Sequence, residues 1–353
     1  MSSSDNQPGP VDSYNLFTAD PVLPAAVRRE GGNTDLLTAF GAQVGSDEIR
    51  EWARLANRNV PILHTHDRFG DRIDEVEYHP AYHSLLNLAV EAGIHCMRYE
   101  QPAGEGGYVT RNALMGLITQ IEMGHGCPTS MTSAALTTLR YQPELAEIWE
   151  PLILSRNYEH QLRVPQHKSG VLIGMGMTEK QGGSDVRANT STAVAVNGGG
   201  PGGEYRLEGH KWFTSAPMCD AFLILAYAPK GMSCFLVPRV LPDGVRNSLR
   251  FMRLKDKLGN RSNASAELEF DDTAAWMVGE EGRGIPTIIE MVHSTRLDVA
   301  NWGVSLMRQA VAQAAWHVAH RDAFGATLID KPLMQNVLAD LEVEVEAATL
   351  MIT

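Results

Sequence analysis

The sequence predicts an α+β multidomain chain, with a helical N-terminal domain over residues 1–170, a β-domain over 171–272 and the start of a helical C-terminal domain over 273–353. Three observations carry this reading. Apolar residues recur at helical spacing up to about residue 170. They then alternate or run continuously for some hundred residues. Beyond Gly279-Glu280-Glu281-Gly282-Arg283-Gly284 the helical period returns.

The elements follow in order. The first dozen residues are polar and read as a disordered tail. Ser46 suits an N-cap, Asp47 and Glu48 favour the first turn, and Ile49, Trp52, Ala53 and Ala56 repeat on one face until Asn59-Val60-Pro61. Residues 80–95 and 110–125 are further helical stretches, split by the loop Pro102-Ala103-Gly104-Glu105-Gly106-Gly107. In the middle, Ala266-Glu267-Leu268-Glu269-Phe270 alternates as a half-exposed strand should, while Phe222–Ala226 and Cys234–Val237 are short apolar runs that suit buried strands. Asn197 to Gly203 is a glycine-rich loop between strands. Leu306, Ala310, Ala314 and Val318 then share a helical face, and Pro332 to Thr353 is a last helix. That helix has no C-cap and nothing after it to cover its apolar face, so the sequence is expected to be a fragment.

Composition narrows the function classes. With 44% hydrophobic and 20% charged residues the chain is globular rather than disordered. No apolar run is long enough to span a membrane, and the polar N-terminus has no secretory pattern. Four scattered cysteines without CxxC spacing fit reduced thiols, so a cytoplasmic location is expected. A formal net charge of −12 opposes general nucleic-acid binding through this chain.

Chemistry concentrates in Met177-Thr178-Glu179-Lys180-Gln181-Gly182-Gly183-Ser184-Asp185-Val186, which follows the apolar Val171-Leu172-Ile173. Its glycines let backbone approach a flat or phosphorylated ligand, and its hydroxyls and N–H groups bond ring or phosphate atoms. On composition alone it reads as a polar hairpin turn. One strand on comes Gly209-His210-Lys211-Trp212-Phe213-Thr214-Ser215, then Lys257-Leu258-Gly259-Asn260-Arg261-Ser262, then Arg321-Asp322-Ala323-Phe324-Gly325. Gly174-Met175-Gly176 lacks the third glycine and βαβ setting of a dinucleotide fingerprint.

These four motifs, in this order between Gly170 and Gly325, resemble the acyl-CoA dehydrogenase family of flavoproteins. The wording of the first and third, with the long N-terminal segment, is similar to its AidB-like, alkylation-response branch. The resemblance implies FAD as cofactor, with Met177 to Val186 and Phe213, Thr214 and Ser215 forming one wall of the isoalloxazine site. It implies that Arg321 and Phe324 lie on a helix segment reaching a neighbouring subunit's flavin, and that Arg296 belongs to the substrate site. The partners it implies are further copies in a homotetramer, an acyl-CoA, and double-stranded DNA bound only through a C-terminal region absent from this chain.

The family's α-proton base is a carboxylate placed either beyond residue 353 or at the residue before Arg296, which here is Thr295. No catalytic residue is therefore assigned, Glu290 has no claim to the role, and the chain alone is expected to be inactive. A DNA-associated regulatory flavoprotein with vestigial activity is the alternative. His64-x-His66-Asp67 and His79-x-x-x-His83 invite a metal reading, but Pro80 places His79 before the helix. Surface or capping histidines fit better, and no metal site is assigned.

Overall fold

The computed structural model describes residues 6–102 and 104–353. The chain begins with α1 (Leu23–Arg29), α2 (Thr34–Val44), α3 (Asp47–Arg58), β1 (Ile62–His66), β2 (Arg72–Glu77), α4 (Pro80–Glu91) and the single turn α5 (Met97–Glu100). Helices α6 (Gly107–Thr119), α7 (Gly126–Leu139) and α8 (Pro143–Ile153) follow. Strands β3 (Ile173–Gly176), β4 (Thr192–Ala195), β5 (Glu204–Ser215), β6 (Ala221–Ala228), β7 (Gly231–Pro238), β8 (Leu249–Leu254) and β9 (Ser265–Val278) form the middle. The long α9 (Gly284–Ala319), the two-residue strands β10 (Asp322–Ala323) and β11 (Ala326–Thr327), and α10 (Pro332–Ile352) complete it.

The chain divides into two compact units. One holds residues up to 51, 100–123 and 297–353; the other holds 52–99 and 124–296. In the second unit, strands pair in the order β3-β6-β4-β5-β9-β7, and β8 pairs with β9. Because β6 also pairs with β7, strands β6-β4-β5-β9-β7 close on themselves, which leaves no free edge among them. Phe222, Leu223, Ile224 and Leu225 of β6 and Phe235, Leu236 and Val237 of β7 are all buried, so both faces of these strands are covered. In the first unit, Arg111 of α6 and Asp298 of α9 form a fully buried ion pair, its second hydrogen bond being 2.8 Å, and Asn301 Nδ2 donates to Asn112 O (2.8 Å).

Several local expectations are met for stated reasons. Ser46 Oγ accepts from Ile49 N at the start of α3, and His79 Nδ1 accepts from Ala81 N (3.1 Å) at the start of α4. Others are corrected. The tail expectation falls partly on residues 1–5, which lie outside the described residues, as does Ala103 of the 102–107 loop. Residues 6–12 are tied down: Arg50 Nη1 donates to Val11 O (2.7 Å), and Trp316 Nε1 donates to Gly9 O (3.0 Å). The β1–β2 hairpin was not foreseen. It forms because Asp67 Oδ1 accepts from Phe69 N and Asp71 N (2.8 and 3.0 Å), closing a tight turn. Among the described residues no helix is long and apolar enough to cross a membrane.

Candidate functional site

The Met177–Val186 loop leaves the end of β3 and is clamped to β5. Trp212 N donates to Thr178 O (2.7 Å), and Lys180 N donates to His210 Nε2 (3.1 Å). Asn189 Nδ2 donates to Met177 O (2.8 Å), and Gln181 Nε2 donates to Asn189 Oδ1 (2.7 Å). Beneath the loop, Glu179 is fully buried. Its Oε1 accepts from Lys211 Nζ (2.5 Å) and Ser191 Oγ (2.6 Å), and its Oε2 from Thr190 N (2.6 Å). Burial pushes this carboxyl up, but the bonds from Lys211, Ser191 and Thr190 outweigh it and bring its pKa down to about 2. Burial lowers the Lys211 pKa, and Glu179 opposes that shift. A buried pair of this kind fixes geometry, because separating either partner leaves an unpaired charge in the interior.

With its backbone fixed, the loop presents Lys180, Gln181, Gly183, Ser184 and Asp185 to the surface. Gly182 has φ +115°, and a Cβ built on it would meet nothing within 4 Å, so its open side is room that only glycine backbone occupies without strain. A Cβ on Gly183 would approach Thr178 Oγ1 to 2.7 Å, which keeps that position small. Asp185 Oδ1 accepts from Arg187 N (3.1 Å) and starts a single 3₁₀ turn over Val186–Ala188.

At the end of β5, Phe213 is half exposed, Thr214 is fully buried and Ser215 is partly exposed. Thr214 Oγ1 has no hydrogen-bond partner among the described residues. Ser215 Oγ lies 3.2 Å from Ser265 Oγ. The outward wall is thus carried by Phe213 and Ser215, while Thr214 is turned away from solvent, its Oγ1 close to Gly176 of β3. Cations gather beside it: Lys255 Nζ lies 3.4 Å from the Trp212 ring centroid and 4.6 Å from that of Phe213, with Arg253 and Lys180 each 5.5 Å from Trp212. Glu267 anchors Lys255 and Arg253 at 2.5 and 2.6 Å; burial raises its pKa, but these two bonds lower it overall. An exposed aromatic, hydroxyls, small glycines and three cations on fixed backbone suit a flat ring carrying phosphates, and so fit FAD.

The remaining expected residues are dispersed. Thr295 of α9 is buried, and its Oγ1 donates to Val292 O (3.0 Å), so this hydroxyl is committed to its own helix; Arg296 beside it is exposed. Arg321 and Phe324 belong to the other unit. They do not lie on a helix, as the resemblance implied: Arg321 directly precedes the β10–β11 hairpin and Phe324 sits in its turn, where Phe324 (φ +53°) and Gly325 (φ +76°) reverse the chain sharply. Phe324 is 94% exposed, and Arg321 Nη1 donates to Asn6 O. His64 pairs with Glu77 (2.8 Å), His79 caps α4, and His83 lies 2.8 Å from Tyr158 Oη. Sequence reading missed Lys211 as the partner of Glu179. A lysine three residues before a Thr-Ser strand end gives no sign of which acid it meets.

Comparison with known proteins covers nearly the whole chain. Residues 6–160 match the adaptive response protein AidB N-terminal domain, 174–273 the acyl-CoA dehydrogenase middle domain, and 282–353 the acyl-CoA dehydrogenase C-terminal domain. The chain is 45% identical over 350 residues to AidB of Escherichia coli (strain K12), covering 98% of this chain and 64% of that protein. It is 29% identical to acyl-CoA dehydrogenase family member 11 of Caenorhabditis elegans, covering 98% of this chain and 58% of that one. The chain therefore spans less than two thirds of either curated relative. Among solved structures, C. elegans ACDH-11 in complex with C11-CoA superposes with a TM-score of 0.87 at 28% identity, over 100% of this chain and 62% of that one. Bd2924 in its apo form superposes with a TM-score of 0.86 at 28% identity, over 98% and 70%.

Proposed function

This chain belongs to the acyl-CoA dehydrogenase family, whose members carry FAD, and from that premise we propose that the protein binds FAD against the Met177–Val186 loop and Phe213–Ser215 and is an AidB-like oxidoreductase acting on acyl-CoA thioesters. The observation that carries this reading is the clamp of loop to strand: the Trp212–Thr178 bond and the buried Glu179–Lys211 pair hold backbone N–H groups and the exposed Phe213 edge in one fixed wall.

In this reading each residue has a separate task. The Gly182 and Gly183 backbone and the Thr178 and Ser184 hydroxyls hold the polar parts of the cofactor. Phe213 covers ring surface, and Ser215 donates a hydrogen bond to the ring edge. Lys255, Arg253 and Lys180 supply positive potential for the pyrophosphate. Bound there, FAD supplies the hydride acceptor for oxidation of a CH–CH bond. The exposed Phe324 and the neighbouring Arg321 serve a further copy of the chain in a homo-oligomer.

Proton abstraction is not performed by Thr295, whose hydroxyl is undissociated and bonded to Val292 O. The same residue favours a second reading, in which the protein acts in the alkylation response as a DNA-associated flavoprotein with vestigial dehydrogenase activity. Anaerobic titration of the FAD-loaded protein with branched short acyl-CoAs separates the two. Stoichiometric bleaching of the flavin supports the oxidoreductase, and bound but unbleached flavin in a protein that retains duplex DNA at physiological salt supports the second reading.

A further inference from the structure

A cleft of about 310 Å³ lies in the barrel-containing unit, lined by four arginines, Arg72, Arg239, Arg246 and Arg250. Three of them are neutralised. Arg72 grips Asp74 through Nε (2.6 Å) and Nη2 (3.0 Å), Arg246 pairs with Glu75, and Arg250 pairs with Asp271. Arg239 is not. It is 8% exposed, its guanidinium lies 4.9 Å from the Phe251 ring centroid, and its one side-chain hydrogen bond among the described residues runs from Nη2 to Asp74 O (2.9 Å). Asp220, the acid acting most strongly on it, is bound to Lys168 at 2.6 Å.

A buried guanidinium with no carboxylate partner carries a desolvation cost that proteins normally offset with an anion. Here Nε and Nη1 have no protein partner among the described residues, on a residue that lines the cleft. Burial pushes the Arg239 pKa below its ordinary value, and the opposing pull of Asp220 and Glu75, each engaged with another cation, does not offset it. The remainder of the floor is rigid. Asn247 is saturated, donating to Pro238 O (2.7 Å) and Ala274 O (2.8 Å) and accepting from Ala274 N (2.9 Å). Asp74 sits at φ +44° and accepts from Phe251 N (3.0 Å), holding a sparsely populated backbone conformation.

We propose that this cleft is a binding site for a small phosphate monoester, with the Arg239 fork gripping the phosphoryl oxygens at its floor and the rim arginines Arg246 and Arg250 adding N–H donors while they hold Glu75 and Asp271 away from the dianion. A phosphoryl group matches a guanidinium fork in geometry and charge. The volume falls at the lower end of the 300–1,000 Å³ typical of small-molecule sites, enough for a phosphate with a modest organic group. Because Arg239 is almost wholly enclosed, an extended polyanion cannot reach it, which is why a small ligand is favoured.

The test is calorimetric titration of the full chain with phenyl phosphate and with inorganic phosphate, at constant ionic strength set by chloride. One site per chain is expected, with phenyl phosphate the tighter ligand. Arg239→Gln should weaken it by at least about tenfold, the effect of losing one charge-assisted fork. Arg239→Lys, which keeps charge but loses the fork, should fall between the two. Should Arg239→Gln not fold, the rim double variant Arg246→Gln/Arg250→Gln must weaken binding instead. Saturating FAD must leave the phenyl phosphate isotherm unchanged. No saturable binding, unchanged affinity in folded Arg239→Gln or the rim variant, or competition by FAD would each overturn the proposal.

Discussion

Replacing Glu179 by alanine tests whether the buried pair, rather than the loop's own turns, holds the candidate cofactor wall. In the variant, Lys211 Nζ keeps only Ser191 Oγ, 3.2 Å away, in an interior where it is fully enclosed. Two routes give the cost. Removing one member of a buried ion pair typically costs about 3–5 kcal/mol, because the other charge is left uncompensated. Independently, the fall of the carboxyl from its ordinary 4.5 to about 2 corresponds to about 3 kcal/mol at 1.36 kcal/mol for each factor of ten. The expected loss in urea unfolding of the full chain is therefore about 3 kcal/mol, accompanied by weaker FAD uptake. The double variant Glu179→Leu/Lys211→Met, which restores an apolar fit of similar volume, should recover most of the stability. A loss below about 1 kcal/mol in the single variant, or additive losses in the double, would refute the reasoning.

Other outcomes follow from the same geometry. The folded Glu179 carboxyl titrates at about 2 and an unfolded one near 4.5, so its contribution is complete above about pH 4.5 and drains away as pH falls toward 2; Glu179→Gln should flatten that part of the acid-unfolding profile, and an unaltered acid limb would contradict it. Gly182→Ala meets no neighbour but must adopt φ +115°, so it should cost about 1–3 kcal/mol through backbone strain alone, checked by urea unfolding; a neutral substitution would show that the loop relaxes. Ser215→Ala should weaken FAD about two- to tenfold, the range of a neutral hydrogen bond of about 0.5–1.5 kcal/mol, and an unchanged affinity would show that the hydroxyl serves only Ser265. His79→Ala removes the side-chain cap of α4 and should lower the melting midpoint through a loss of about 0.5–2 kcal/mol, with no change expected in FAD binding.

Local physics was legible in the sequence wherever a residue acts on its neighbours. The Ser46 and His79 helix starts, the alternation in β9 and the apolar runs of β6 and β7 depend on near spacing, and they appear where period and capping chemistry put them. The loop and the Phe213–Ser215 strand were recognisable as paired motifs, and the structure joins them through Thr178 and Trp212. What sequence could not give is which face a side chain takes and what it meets far along the chain. Glu179 read as one more polar loop residue, yet its side chain turns inward to Lys211. Thr214 read as part of the wall, yet the strand buries it between the exposed Phe213 and the partly exposed Ser215. Arg111 and Asp298 lie on different helices with no shared motif, and Arg239 carries no local mark of its missing counter-ion.

The central claim is that the Met177–Val186 loop and Phe213–Ser215 form a flavin wall, and its most direct measurement is FAD titration of purified protein followed by visible absorbance and flavin fluorescence. The account predicts a yellow protein with a flavin spectrum and saturable FAD uptake that Ser215→Ala weakens and Glu179→Ala weakens further. A correctly folded, colourless protein that takes up no added FAD would contradict it.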